Sequence, residues 1–125
     1  MPAPTAPLAG DELLVAVTDA MVALHERHHH RAPATAKTLL LEGDLLACVL
    51  GGVYTSVEKT MIELQRSEVV HETRHTFADA MAQTFIEAVE RLSGRDVITF
   101  TSHHHVGPDV EVELFMLEPI AAQTP

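Results

Sequence analysis

Tryptophan is absent from the chain, and aromatic residues make up only 4% of it. A core built on stacked rings is thereby excluded, and Leu, Val, Ile, Ala and Met must fill it. The hydrophobic content of 46% is enough for a packed domain. Basic residues are scarce, eight against 18 acidic ones, which gives a formal charge of −10. Such a chain repels the backbone of DNA or RNA, so no nucleic-acid partner is expected, and anionic membrane surfaces are disfavoured for the same reason. Cysteine occurs once, at Cys48, which rules out an intrachain disulfide and suits a reducing, cytoplasmic setting. Long apolar runs are missing too. The most apolar window, residues 39–54, is broken by Glu42 and Asp44 and falls short of the ~20 residues a membrane helix needs, so no direct membrane insertion is expected. The opening residues have neither the basic nor the apolar region of a signal peptide. No G-x-S-x-G elbow and no glycine-rich phosphate loop occurs.

What is present reads as one α+β domain over residues 11–119, between a Pro/Ala-rich flexible tail (1–10) and a closing tail (120–125). Asp11 and Glu12 place acid at the start of a first helix, where it complements the helix dipole. Leu14, Val17, Met21, Leu24 and His28 predict its apolar stripe to about residue 29, and Arg31-Ala32-Pro33 ends it. Two strands, 36–42 and 45–53, follow around a Gly43-Asp44 turn, and Gly51-Gly52 marks a bulge or strand end. Thr55 and Glu58 form a capping box that opens a short helix to about Leu64. After Ser67, Val70, Phe77, Met81, Phe85, Ala88 and Leu92 trace one stripe of a long helix, with Gly94 as its C-terminal cap. Its length, ~40 Å at ~1.5 Å per residue, suggests that a second copy of the chain covers its far end as a homodimer. Strands 97–105 and 110–117 close the chain, with Val110, Val112, Leu114 and Met116 as the expected core face and Glu111 and Glu113 as the polar one. The fold expected is an antiparallel four-stranded sheet of two hairpins packed against helices, in the order α-β-β-α-α-β-β.

Histidine is the unusual constituent, with nine copies. His25 to His29 and His71 to His75 both match H-E-x-x-H, a spacing that sets two imidazoles on one helix face to hold zinc with a glutamate as base. His71 and His75, however, fall on the solvated flank of the long helix, and no third-ligand motif follows. A metalloenzyme is therefore disfavoured and no catalytic residues are assigned. A non-catalytic site for zinc or another divalent transition metal remains a candidate, using His71 and His75 with His103 and His105, which share one face of their strand; a second chain would complete the shell. No other cofactor is expected. With a turn at 106–109, His104 lies opposite Glu111. Protonating all nine histidines near pH ~6.5 would offset nine of the ten negative charges, which makes pH sensing a further use. Arg31 and Arg74 are candidates for anion or small-ligand binding, against a default of surface ion pairs for these and Arg95. Cys48 reads as a buried small side chain.

Several segments together resemble the MpsC-like family of small bacterial proteins over about residues 13–119. They are Arg31-Ala32-Pro33-Ala34-Thr35-Ala36-Lys37, Val49-Leu50-Gly51-Gly52-Val53-Tyr54-Thr55 leading to Glu58, Glu72-Thr73-Arg74, and Phe77-Ala78-Asp79-Ala80-Met81. Leu92-Ser93-Gly94-Arg95-Asp96-Val97, Ser102, Pro108-Asp109 and Glu113-Leu114-Phe115-Met116-Leu117-Glu118-Pro119 complete the likeness. The resemblance implies a soluble accessory component of a membrane-potential-generating or inorganic-carbon (bicarbonate) uptake system, with a membrane-protein partner and no transferable catalytic residues. His28-His29-His30 and His75 depart from the family pattern, which has aromatic and glycine residues at the first and a non-histidine polar residue at the second. The expectation is a non-enzymatic interaction or regulatory module, with a histidine-based metal-binding protein as the alternative.

Overall fold

In the computed structural model, which describes residues 6–120, the elements run α1 (Gly10–His29), β1 (Thr35–Leu41), β2 (Leu45–Gly51), α2 (Ser56–Glu63), α3 (Ser67–Ser93), β3 (Val97–His105) and β4 (Val110–Leu117). This is the expected α+β order. The four strands form one antiparallel sheet ordered β1-β2-β4-β3, so the two hairpins join through β2 and β4. Parts of both expected tails, residues 1–5 and 121–125, lie outside the described residues. Ahead of α1, Leu8 donates its N–H to Leu92 O and packs on the core.

Local chemistry explains most element ends. Thr55 Oγ1 accepts from Glu58 N–H while Glu58 Oε1 accepts from Thr55 N–H, the reciprocal capping box. Gly94, with φ of 67°, closes α3 in the left-handed conformation that glycine adopts without a Cβ penalty. α1 ends at His29, where the sequence places its end, just ahead of Arg31-Ala32-Pro33. His30 takes the left-handed position, with φ of 58°, and donates its N–H to Glu26 O before the proline is reached. The first hairpin turns through three residues, Glu42 to Asp44, rather than two, with positive φ at Glu42 and Gly43.

The helices cover one sheet face. Leu46, Cys48 and Leu50 of β2 and Phe115 and Leu117 of β4 meet Val17 and Met21 of α1 and Val70, Phe85 and Val89 of α3 in the core. Burying each large side chain there contributes about 1.5–3 kcal/mol. Two stripes differ from the periodic reading. On α1 the buried positions step by four, Leu13, Val17, Met21 and His25, while Leu14 and Leu24 are half-buried and His28 is exposed. On α3, Arg74 is buried between Val70 and Met81, and Phe77 and Leu92 are only half-buried.

The main correction concerns β4. Glu111 and Glu113 face the helices with Phe115 and Leu117, whereas Val110, Val112, Leu114 and Met116 face away. Alternation alone permits either face, because 114–117 is apolar throughout. The outer sheet face is consequently apolar at its centre. By register, Leu39 and Leu41 of β1, Leu45, Ala47 and Val49 of β2, and Val112, Leu114 and Met116 of β4 stand together on it. Leu39 is 43% and Met116 45% exposed, and nearby Ile98 is 54% exposed. Lys37, beside Val49, is the one charged residue among the outward positions of β1, β2 and β4, and Glu42 and Asp44 sit at the hairpin turn at one end.

Candidate functional site

The inward glutamates of β4 meet α1 and α3 in a buried charged cluster. Strand pleating puts Glu111 and Glu113, two residues apart, on one face, and the four-residue step from Met21 aims His25 at them. His25 Nε2 lies 2.7 Å from Glu111 Oε2 and 3.7 Å from Glu113 Oε1. Its Nδ1 lies 2.8 Å from Met21 O. Both ring nitrogens thus face acceptors, which makes His25 a donor on both sides and an imidazolium. Burial alone would discharge the ring, but Glu111 and Glu113 outweigh it and raise His25 to about 9.

The two carboxylates diverge. Burial and the nearby Glu111 charge push Glu113 up to about 7, against the pull of His25. Glu111 falls to about 2, because His25 and Arg74 outweigh its own burial. Ser102 Oγ donates to Glu113 Oε1 at 3.0 Å, while Glu113 Oε2 has no hydrogen-bond partner among the described residues.

Arg74 extends the cluster to α2. Its Nε and Nη2 donate to the two oxygens of Glu58, both at 2.6 Å, in a fork that matches the carboxylate. Nη2 also donates to Val53 O, and Nη1 faces Glu111 Oε1 at 3.4 Å. The surface ion pair expected of Arg74 is therefore replaced by a buried one, since the side chain is only 2% exposed. His29 Nε2 accepts from Arg74 Nη1 at 3.4 Å, and burial together with Arg74 lowers His29 to about 4. Arg31 is exposed, with a 3.5 Å contact to Gly52 O. Arg95 ties Asp44, Gly43 O and Glu118 O together. Cys48, paired with Glu113 across the sheet, is raised to about 11 by burial, so its thiol is inert at neutral pH.

The metal-candidate histidines lie elsewhere. His71 and His75 are exposed on α3, as their spacing predicts. They line an open cavity of about 510 Å³ with His103, His104, Ser102, Glu68 and Glu72. His104 lies opposite Glu111, as expected, and turns to the helix side, where its ring stacks on His71 at 4.6 Å. His104 Nε2 is buried without a hydrogen-bond partner among the described residues, and burial followed by His71 lowers its pKa. His105 does not line this cavity; its carbonyl accepts from Tyr54 Oη. Among the described residues, the histidine, cysteine and carboxylate side chains that bring three ligand atoms within 4.8 Å of one another are His25, Glu111 and Glu113. Sequence reasoning missed all three as a site. The available signals were His25 in register with Leu13, Val17 and Met21, and two glutamates in phase with Phe115 and Leu117.

No helix among the described residues is long and apolar enough to cross a membrane. No curated protein and no solved structure matches the chain. One family model does, over residues 11–119, and it is described as that of the Na+-translocating membrane potential-generating system (MpsC). With nearly all of the domain matched, the chain belongs to the MpsC family.

Proposed function

We propose that the protein is a non-enzymatic interaction module, a cytoplasmic accessory component of a membrane-potential-generating or inorganic-carbon uptake system that works as a homodimer beside a membrane-protein partner. The observation that carries this reading is the outer sheet face. Leu39, Leu41, Val112, Leu114 and Met116 form an apolar patch with no helix of the described residues over it. In a chain of formal charge −10, two copies meeting elsewhere bring acid against acid. The strand positions of this face carry no carboxylate, so it is the surface on which a second copy docks at least electrostatic cost. Family membership supplies the membrane-system setting.

Light scattering coupled to size exclusion tests the dimer. The wild type is expected at twice the 13.6 kDa chain mass, and Leu39→Glu/Met116→Glu at the single mass with an unchanged circular dichroism spectrum. A wild type that stays monomeric at high micromolar concentration refutes the dimer, and a dimer indifferent to the double substitution refutes this interface. A second reading, a metal-binding protein using His71 and His75, is supported by the cavity they share with His103 and His104. Stoichiometric zinc lost in His71→Ala/His75→Ala would carry it.

A further inference from the structure

We propose that His25, Glu111 and Glu113 form a binding site for one divalent transition-metal ion of the zinc type, held inside the domain between α1 and β4. The inference is independent of the interaction-module reading. A tetrahedral zinc ion with bonds of ~2.0–2.1 Å keeps its donors about 3.3 Å apart. The donor of His25 stands 2.7 and 3.7 Å from those of Glu111 and Glu113, about half an ångström either side of that spacing, and all three donors lie within 4.8 Å of one another.

Three observations separate this cluster from an ordinary buried ion pair. First, Glu113 is fully buried, and Oε2, the companion of the Oε1 that stands 3.7 Å from His25 Nε2, has no hydrogen-bond partner among the described residues, which costs free energy unless something binds it. Second, the outer shell is in place. His25 Nδ1 donates to Met21 O, the arrangement that fixes the tautomer of a metal-bound imidazole and leaves Nε2 for the ion. Ser102 Oγ holds one oxygen of Glu113, and Arg74 faces the oxygen of Glu111 that points away from His25. Third, the formal charges leave room for a cation of two units. Once an ion takes the place of the His25 Nε2 proton, the ionised side chains of Glu58, Glu111 and Glu113 oppose a single guanidinium, Arg74, so a divalent ion neutralises the cluster in place of the imidazolium charge. One imidazole and two carboxylates suit zinc and its neighbours, whereas calcium takes six to eight oxygens, more than this cluster presents.

The test uses full-length protein purified without a tag, stripped with chelator and titrated with zinc alone. One zinc per chain is expected by native mass spectrometry, and zinc-edge X-ray absorption of the wild type is expected to show a single imidazole with oxygen donors. Glu113→Gln keeps the side-chain shape and is expected to weaken zinc binding at least ~10-fold, while His71→Ala/His75→Ala leaves it unchanged. Absence of stoichiometric zinc overturns the proposal. So does an absorption spectrum with two or more imidazoles, which would place the ion in the open histidine cavity. The absorption measurement is made on the wild type, so it decides even if Glu113→Gln folds poorly.

Discussion

Replacing Arg74 by alanine removes the one guanidinium that bridges α2, α3 and β4. The side chain is 2% exposed and lies within 2.6 Å of both Glu58 oxygens, 2.9 Å of Val53 O and 3.4 Å of Glu111. The truncation leaves two low-dielectric carboxylates with less compensation, a backbone carbonyl unpaired and a cavity where the stem packed. Breaking a buried pair by deleting one partner costs about 3–5 kcal/mol, whereas an exposed pair is worth about 0–1 kcal/mol. A domain of this size has only about 5–15 kcal/mol in total, so Arg74→Ala is expected to remove a large share of it. With a urea slope of about 1–3 kcal/mol/M, the midpoint should fall by roughly 2 M. Arg74→Lys keeps the charge but cannot form the fork and should fall between. In Arg74→Ala/Glu58→Gln the uncompensated charge on Glu58 is gone, so the double variant should lose less than the sum of the two single losses. The measurement is urea unfolding followed by circular dichroism, with the slopes compared. An Arg74→Ala loss below about 1 kcal/mol would refute the reasoning, since that is the value of a solvated surface pair.

Three further outcomes follow from the structure. His25 is raised to about 9 in the folded state, so its contribution is fully present below its unfolded value near ~6.5 and is lost as pH rises through 9. Glu113, raised from 4.5 to about 7, acts in the same direction but over its own window, between those two values, mostly below that of His25. Stability should therefore decline between about pH 6.5 and 9, and metal-free His25→Gln should flatten the decline; a wild-type urea midpoint constant over that range would contradict it. On the acid side His29, lowered to about 4, should cost stability as pH falls from ~6.5 toward 4, and His29→Gln should lessen that loss. Thr55→Ala removes the hydroxyl that caps α2 and is expected to cost about 1 kcal/mol by urea unfolding, with Thr55→Ser retaining most of the stability.

Much of this protein was legible in the order of its residues. Element types and sequence, the Thr55 capping box, the Gly94 cap, the bounds of β3 and β4 and the facing of His104 and Glu111 are local, set by contacts within a few residues or by the count across one turn. The exposure of His71 and His75 followed from helix angle alone. The candidate site was not legible in the same way. His25, Arg74, Glu111 and Glu113 come from two helices and a strand, and His25 and Glu111 are 86 residues apart in the chain. Each alone reads as a solvated polar residue, because the cost of burying a charge is offset only by partners that the fold brings from elsewhere.

The face of β4 marks the boundary. Its pleat follows from the sequence, and period two forces Glu111, Glu113, Phe115 and Leu117 to one side and Val110, Val112, Leu114 and Met116 to the other. Which side met the helices was decided only by the tertiary structure. With Phe115 and Leu117 seated in the core, the two glutamates had to follow, and His25 and Arg74 compensate them there. The same choice turned the opposite apolar row outward, onto the sheet face that none of the described helices covers.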